Sequence, residues 1–207
     1  MNILITAGGT REYIDPVRFI SNASTGKMGY ALARAAIKTG HTVTLITAPT
    51  ALRKPDAAKI VEVETAGEMF DAVKTHFPGS DCLIMSAAVS DYKPEKTSKT
   101  KIKKCVAEMT IKLKPTQDIL KWAGRNKSKN QFVAGFALED TSIKENAEAK
   151  FKNKNLDMII ANAPTAIAAE RSTVHIKTQK AGWVELKDME KEKIAVTIIQ
   201  LIDQPAE

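Results

Sequence analysis

Apolar and polar positions follow two periods along this chain. A short apolar run at Asn2–Thr6 reads as a strand. A helical period then runs from about Gly26 to Thr39, with Met28, Leu32, Ala35 and Ala36 on one face and Gly40 placed to end it. Strands follow at His41–Thr47 and Lys59–Val63. Thr65-x-x-Glu68 is a capping box that opens a helix to about Phe77. Asp81–Ala87 is almost purely apolar, as expected of a strand buried on both faces. This βαββαβ order predicts a Rossmann-like, doubly wound, mainly parallel sheet with helices on both faces, three layers in all.

The pattern breaks at Ser90–Lys104, which is rich in lysine and has a single isoleucine, so no packed element is expected there. Beyond it the spacing predicts a short strand at Thr110–Lys114, a helix at Asp118–Arg125, strands at Gln131–Ala137 and Leu156–Ala161, and between them a basic helix at Ser142–Asn155. Val174–Gln179 and Trp183–Lys187 flank Lys180-Ala181-Gly182 and read as a β-hairpin. The apolar positions Ile194 to Ile202 form a closing helix. No repeat or linker divides the 207 residues, so one domain spanning 1–207 is expected, with a lysine-rich strap at about 90–108.

Composition narrows the function. Hydrophobic residues make up 43%, enough for a full core, and the net charge of +7 suits an anionic partner. Aromatic residues are 5% and no DNA- or RNA-reading motif is present, which argues against nucleic acid. Cys82 and Cys105 fit no metal spacing. Cys82 lies in an apolar run, and Cys105 ends the lysine-rich segment. No signal peptide or membrane-length apolar run is seen, so a cytoplasmic protein is expected.

The candidate chemistry begins in the long connection Ala7–Gly29. A strand-to-helix link at the carboxyl end of a parallel sheet is normally two to six residues, and this one is about fifteen and crowded with polar groups. It is neither G-x-G-x-x-G nor a P-loop, since Ser21 and Met28 stand where the latter needs Gly and Ser/Thr. Gly8-Gly9 would let backbone approach a ligand. Ser24 or Thr25 either caps the following helix or helps its free N–H groups hold an anion. Ser86-Ala87-Ala88-Val89-Ser90-Asp91 follows the buried fourth strand, where small residues admit a ring or ribose and Asp91 is placed to accept from ribose hydroxyls; a plain turn is the other reading. Tyr92-x-x-x-Lys96 mimics a dehydrogenase pair, but Pro94 breaks the helix such a pair requires. Lys150 and Lys154, spaced i, i+4, share a helix face and repel unless an anion or solvent relieves them.

The string I-T-A-G-G-T-R-E-x-I-D-P-V-R-x-I-S-N-x-S-x-G-K-M-G resembles the opening signature of bacterial phosphopantothenoylcysteine synthetase. A-A-V-x-D-Y, K-I-K-K, Asp118-Ile119, G-F-A-x-E and K-x-x-x-K-N-x-D follow in family order over roughly residues 3–162. Thr116-Gln117 stands where the family usually shows Asn-Pro. The resemblance implies a ligase that joins 4′-phosphopantothenate to L-cysteine with CTP and Mg²⁺, the metal being held mainly by phosphates and water. It implies a nucleotide site at Gly8, Gly9, Ser24, Met85, Ser86, Ala87, Asp91, Lys101, Gln117, Asp118, Ile119, Leu120, Phe136, Lys150 and Lys154. Catalysis falls to Asn22 and Lys101, and substrate binding to Arg18, Asn22 and Ala88. Lys103 and Lys104 flank Lys101. A homodimer is implied, with Phe19 and Ile20 near the interface. The family's decarboxylase domain is not seen ahead of this segment, so the ligase step alone is expected here, with a separate decarboxylase as a working partner. Two rivals remain on the residues alone: the same ligation with ATP, and a non-catalytic nucleotide- or NAD(P)-binding module.

Overall fold

A computed structural model describes residues 1–104, 108–167 and 169–204. Eight strands form one sheet. In chain order its members are β1 (Asn2–Ala7), β4 (Thr42–Thr47), β5 (Lys59–Glu62), β6 (Cys82–Met85), β9 (Phe132–Leu138), β10 (Met158–Asn162), β11 (Arg171–Thr178) and β12 (Val184–Glu190). The spatial order is β12-β11-β10-β9-β6-β1-β4-β5. The strands from β5 to β10 are parallel, while β11 and β12 return antiparallel. The order reverses beside β1: β4 lies on one side of it and β6 on the other. Ligands of open α/β sheets bind in the crevice at such a reversal.

Sequence alternation explains the layering. Ile3 and Ile5 of β1 join one core with helices α1 (Lys27–Lys38) and α5 (Lys191–Ile202). Leu4, between them, joins the opposite core with α2 (Ala66–His76), α3 (Ile119–Asn126) and α4 (Ile143–Asn153). The capping box at Thr65 and Glu68 forms as expected. Cys82 is fully buried in the first core, and burial pushes its thiol pKa far up. Cys105 lies outside the described residues. Among the described residues, no helix is long and apolar enough to cross a membrane.

Three expectations need correction. The opening connection is not a bare loop: β2 (Arg11–Tyr13) and β3 (Phe19–Ser21) pair as a hairpin. The lysine-rich strap also contains an element, since β7 (Tyr92–Pro94) pairs with β8 (Leu113–Pro115), a strand shifted from the expected Thr110–Lys114. Three-residue strands are too short to show a period, which is why their patterns were silent. Finally, neither Ser24 nor Thr25 caps α1. Its cap is Gly26, with φ 78° and no side-chain bond, a backbone shape that glycine adopts without strain.

Candidate active site

The carboxyl ends of β1 and β6 are stitched together. The Ala88 amide donates to the Gly8 carbonyl at 2.8 Å, and the Thr10 amide donates to the Ala88 carbonyl at 3.3 Å. The Thr6 hydroxyl accepts from the Ala87 amide, and the Thr10 hydroxyl from the Ser90 amide. These bonds hold the small-residue loop Ser86–Ser90 open beside the opening hairpin. Between them lies a cavity of about 550 Å³, within the range usual for small-molecule sites.

One wall comes from the opening loop and the end of β6. It carries Asn22 and Ser24, then Met85, Ser86, Ala87, Ala88 and Asp91. The other comes from α3, β9 and α4, with Gln117, Asp118, Ile119, Leu120, Phe136, Lys150 and Lys154. Fourteen residues expected from the sequence thus meet around one space.

Four do not line it. Gly8, with φ 84°, needs its missing side chain because a Cβ would lie 3.0 Å from the Ala48 carbonyl oxygen. A Cβ on Gly9 would lie 2.8 Å from the Asn22 carbonyl oxygen. Chain packing alone therefore requires glycine at both positions. Lys101 is exposed on the strap, outside the cavity lining. Arg18 is committed elsewhere. Its guanidinium pairs with Asp15, Nε to Oδ2 at 3.0 Å, and donates from Nη2 to the Ile102 carbonyl at 2.9 Å. The pairing with Arg18, and then the amides of Val17, Ile102 and Arg18, outweigh burial and hold the Asp15 carboxyl well below the usual range.

Asn22 lines the cavity, but its amide is occupied. Nδ2 donates to the carbonyls of Ala88 at 3.3 Å and Val89 at 3.1 Å. In this state the side chain sets the spacing of the two loops that frame the cavity.

The α3–α4 wall is electrostatically built. Asp118 is the α3 N-cap and accepts from the Lys121 amide at 2.9 Å. It also pairs with Lys154 at 2.9 Å. Burial opposes its ionisation, but the Lys121 amide and the Lys154 ammonium prevail and lower its pKa. Lys150 donates to the Phe136 carbonyl at 2.8 Å. Burial first, and the Lys154 charge second, lower its pKa. Thr116 holds this turn in place: its hydroxyl donates to the Ser90 carbonyl at 2.6 Å and its amide to the Asp91 carbonyl. Thr116, which stands for the family's Asn, thus makes its own anchoring bonds.

Sequence reasoning missed Lys27, Thr116, Leu138, Asn162, Ile167 and Lys191, all in the lining. Lys191 had a legible signal, since it precedes Ile194, Ala195, Ile198 and Ile199 at helical spacing and so sits on the inward stripe. Among the described residues no cluster of three His, Cys, Asp or Glu is placed to cage a metal ion.

A cavity lined by Lys27, Lys150, Lys154 and Lys191 with Asp91 and Asp118, at the strand-order reversal of a doubly wound sheet, defines a Rossmann-like α/β protein with a cation-rich crevice. More particularly, the chain belongs to the DNA/pantothenate metabolism flavoprotein C-terminal domain family, which it matches over residues 1–205. It is 43% identical to the coenzyme A biosynthesis bifunctional protein CoaBC of Bacillus subtilis (strain 168), over 97% of this chain and 50% of that protein. It is 41% identical to the protein of the same name from Borreliella burgdorferi, over 97% of this chain and 52% of that protein. It therefore spans about half the length of these relatives. The crystal structure of the C-terminal domain of a CoaBC protein superposes with a TM-score of 0.84 at 39% identity, covering 97% of this chain and 93% of that one.

Proposed function

We propose that this chain is a phosphopantothenate–cysteine ligase domain of coenzyme A biosynthesis that uses CTP. The observation that carries this reading is the convergence of Lys150, Lys154, the α3 N-terminus and Asp91 on one cavity, in a chain of this family.

Joining a carboxylate to an amine in water is uphill, so the acid must first be activated. The pantothenate carboxylate attacks the α-phosphorus of CTP, and pyrophosphate leaves with its bonding electron pair. The cysteine amine then attacks the acyl carbonyl of the acyl-cytidylate. CMP departs, the amide forms, and the amine gives up a proton. The protein's share is positioning and charge neutralisation. Lys150 and Lys154 offset the triphosphate. Asp91 accepts from the ribose, and Phe136 packs beside the nucleotide. The Asn22 amide turns from the Ala88 and Val89 carbonyls to the acyl oxygen as charge develops there. Lys101 arrives on the strap once the cavity is filled, which excludes water late. Mg²⁺ fits this donor set as a passenger of the triphosphate, held by phosphate and water, and supplies further charge neutralisation when bound.

On this reading the protein works as a homodimer in the cytoplasm, with exposed Phe19 near the interface, and a decarboxylase acts on the product. Light scattering tests the dimer: a monomer with full turnover refutes a shared site.

The deciding experiment is pyrophosphate release from purified protein with 4′-phosphopantothenate and Mg²⁺, comparing CTP with ATP, first without cysteine and then with it. A stoichiometric CTP-dependent burst that becomes turnover with cysteine supports the reading. Equal rates with ATP remove the CTP preference. No release from folded protein that binds CTP removes the ligase and leaves a binding module.

A further inference from the structure

Helix α5 starts with a feature that works against its own stability. Lys191 is its first residue, and only 7% of it is exposed. It lies on the same stripe as Ile194, Ala195, Ile198, Ile199 and Ile202, so the sequence turns a cation inward. Three effects oppose an ammonium at this point. Burial removes its water. The first turn of a helix already carries positive partial charge, and Glu190 at the N-cap offers no side-chain bond to offset it. Lys27 adds like-charge repulsion. Burial first, and Lys27 second, lower the Lys191 pKa.

The compensation inside the protein is small. Nζ donates to the Ala166 carbonyl at 3.1 Å, which uses one of its three protons. The nearby acids are engaged with other cations. Glu170 pairs with Lys27, Glu192 with Arg34, and Glu190 with Arg171 and Lys193. Glu170 and Glu192 soften the field at Lys191, yet among the described residues Lys191 has no ion-pair partner of its own. A buried charge kept at a cost to stability is a mark of a functional group.

The side left open to Lys191 is the cavity, which it lines together with Lys27, Asn162 and Ala166. Helices α1 and α5 pack on one face of the sheet, and α4, which carries Lys150 and Lys154, packs on the other. The cavity thus has a cationic pole on each face. We infer that Lys191, assisted by Lys27, forms a second anion subsite that takes a phosphate group, separate from the pole at Lys150 and Lys154. The inference rests on the ligase reading only for the source of that phosphate, which is either the phosphorylated acid or the end of the nucleotide's triphosphate.

The test is binding, so it does not depend on turnover. Calorimetry measures the affinity of wild type, Lys191→Met and Lys191→Arg for inorganic pyrophosphate, CTP and 4′-phosphopantothenate, and thermal unfolding is recorded for each protein. Methionine keeps an unbranched apolar stem and removes the charge. Lys191→Met is expected to unfold at the wild-type temperature or above it, because a buried cation is gone. It is expected to bind at least one probe roughly ten- to a hundredfold more weakly, with Lys191→Arg keeping part of the affinity. Loss confined to 4′-phosphopantothenate assigns the subsite to the acid's phosphate. Loss with CTP and pyrophosphate assigns it to the triphosphate. Three results overturn the proposal: wild type that binds no probe, Lys191→Met that binds all three as wild type does, and a fall in unfolding temperature with parallel loss of every probe, which makes Lys191 a structural strut.

Discussion

Arg18 and Ile102 meet across 84 residues of chain, the Arg18 guanidinium donating to the Ile102 carbonyl at 2.9 Å. Asp15 completes the contact by accepting from the Ile102 amide at 3.1 Å. Two further bonds run alongside: the Ser98 amide donates to the Ile14 carbonyl and the Thr97 hydroxyl to the Tyr13 carbonyl. The tip of the opening hairpin therefore holds the lysine-rich strap, whose stem starts beside Asp91 and Thr116 in the cavity wall. Asp15→Asn should free the strap without unfolding the sheet. The expected result is faster tryptic cleavage at the exposed Lys101, Lys103 and Lys104, with an unchanged far-ultraviolet spectrum. Acid should act in the same way. The Asp15 pKa is lowered in the folded state, so its stabilisation is full above the ordinary carboxylate value of about 3.9 and is lost as pH falls through the folded value. A strap equally resistant in both proteins would remove Asp15 as its anchor.

Asn22 is the side chain whose chemistry is easiest to isolate. Asn22→Asp keeps the shape but replaces the donor with oxygens that face the Ala88 and Val89 carbonyls. On the proposed mechanism it should cut kcat roughly 100- to 1,000-fold while the protein stays folded. Wild-type kcat in that variant would take Asn22 out of the mechanism.

Gly9 tests the same point through the backbone. A methyl group there would press on the Asn22 carbonyl oxygen at 2.8 Å and the Ser21 hydroxyl at 3.2 Å. Gly9→Ala should cost about 1–3 kcal/mol of stability and lower turnover further than that loss explains, since the peptide that carries Asn22 must move. Chemical denaturation and single-turnover rates measured on one preparation separate the two effects. A destabilised protein with an unchanged single-turnover rate would uncouple Gly9 from Asn22.

How much of this was legible depended on chain length per element. Strands β1, β4, β6 and β9 announce themselves through apolar runs, and they fix the parallel sheet and the place where its order reverses. The cavity followed, because Ser86–Asp91 and Asp118–Leu120 each come just after or at the start of such an element. The hairpins at Arg11–Ser21 and Tyr92–Pro115 were hidden because three-residue strands carry no period and their stability comes from each other. The burial of Asp15 was hidden too, because the fold alone brings the Ile102 amide to the carboxylate that Arg18 already holds. Lys191 was legible in position, on the stripe of α5, but its charge argued for solvent. That conflict between period and polarity was itself the signal.

Lys150 gives the last prediction. It shares a helix face with Lys154 at i, i+4, and burial and Lys154 together lower its pKa. A lysine with a lowered pKa gives up its proton before an ordinary one does, whose value is about 10.4. A triphosphate prefers the charged form, so CTP affinity should fall as pH rises toward the ordinary lysine value, the fall starting below that value. Lys150→Arg, which does not titrate in this range, should flatten the profile while keeping most of the affinity at neutral pH. Lys150→Met should lose affinity at every pH. A wild-type profile that is flat over the whole range, or a slope that survives in Lys150→Arg, would assign the titration to another group and take Lys150 off the triphosphate.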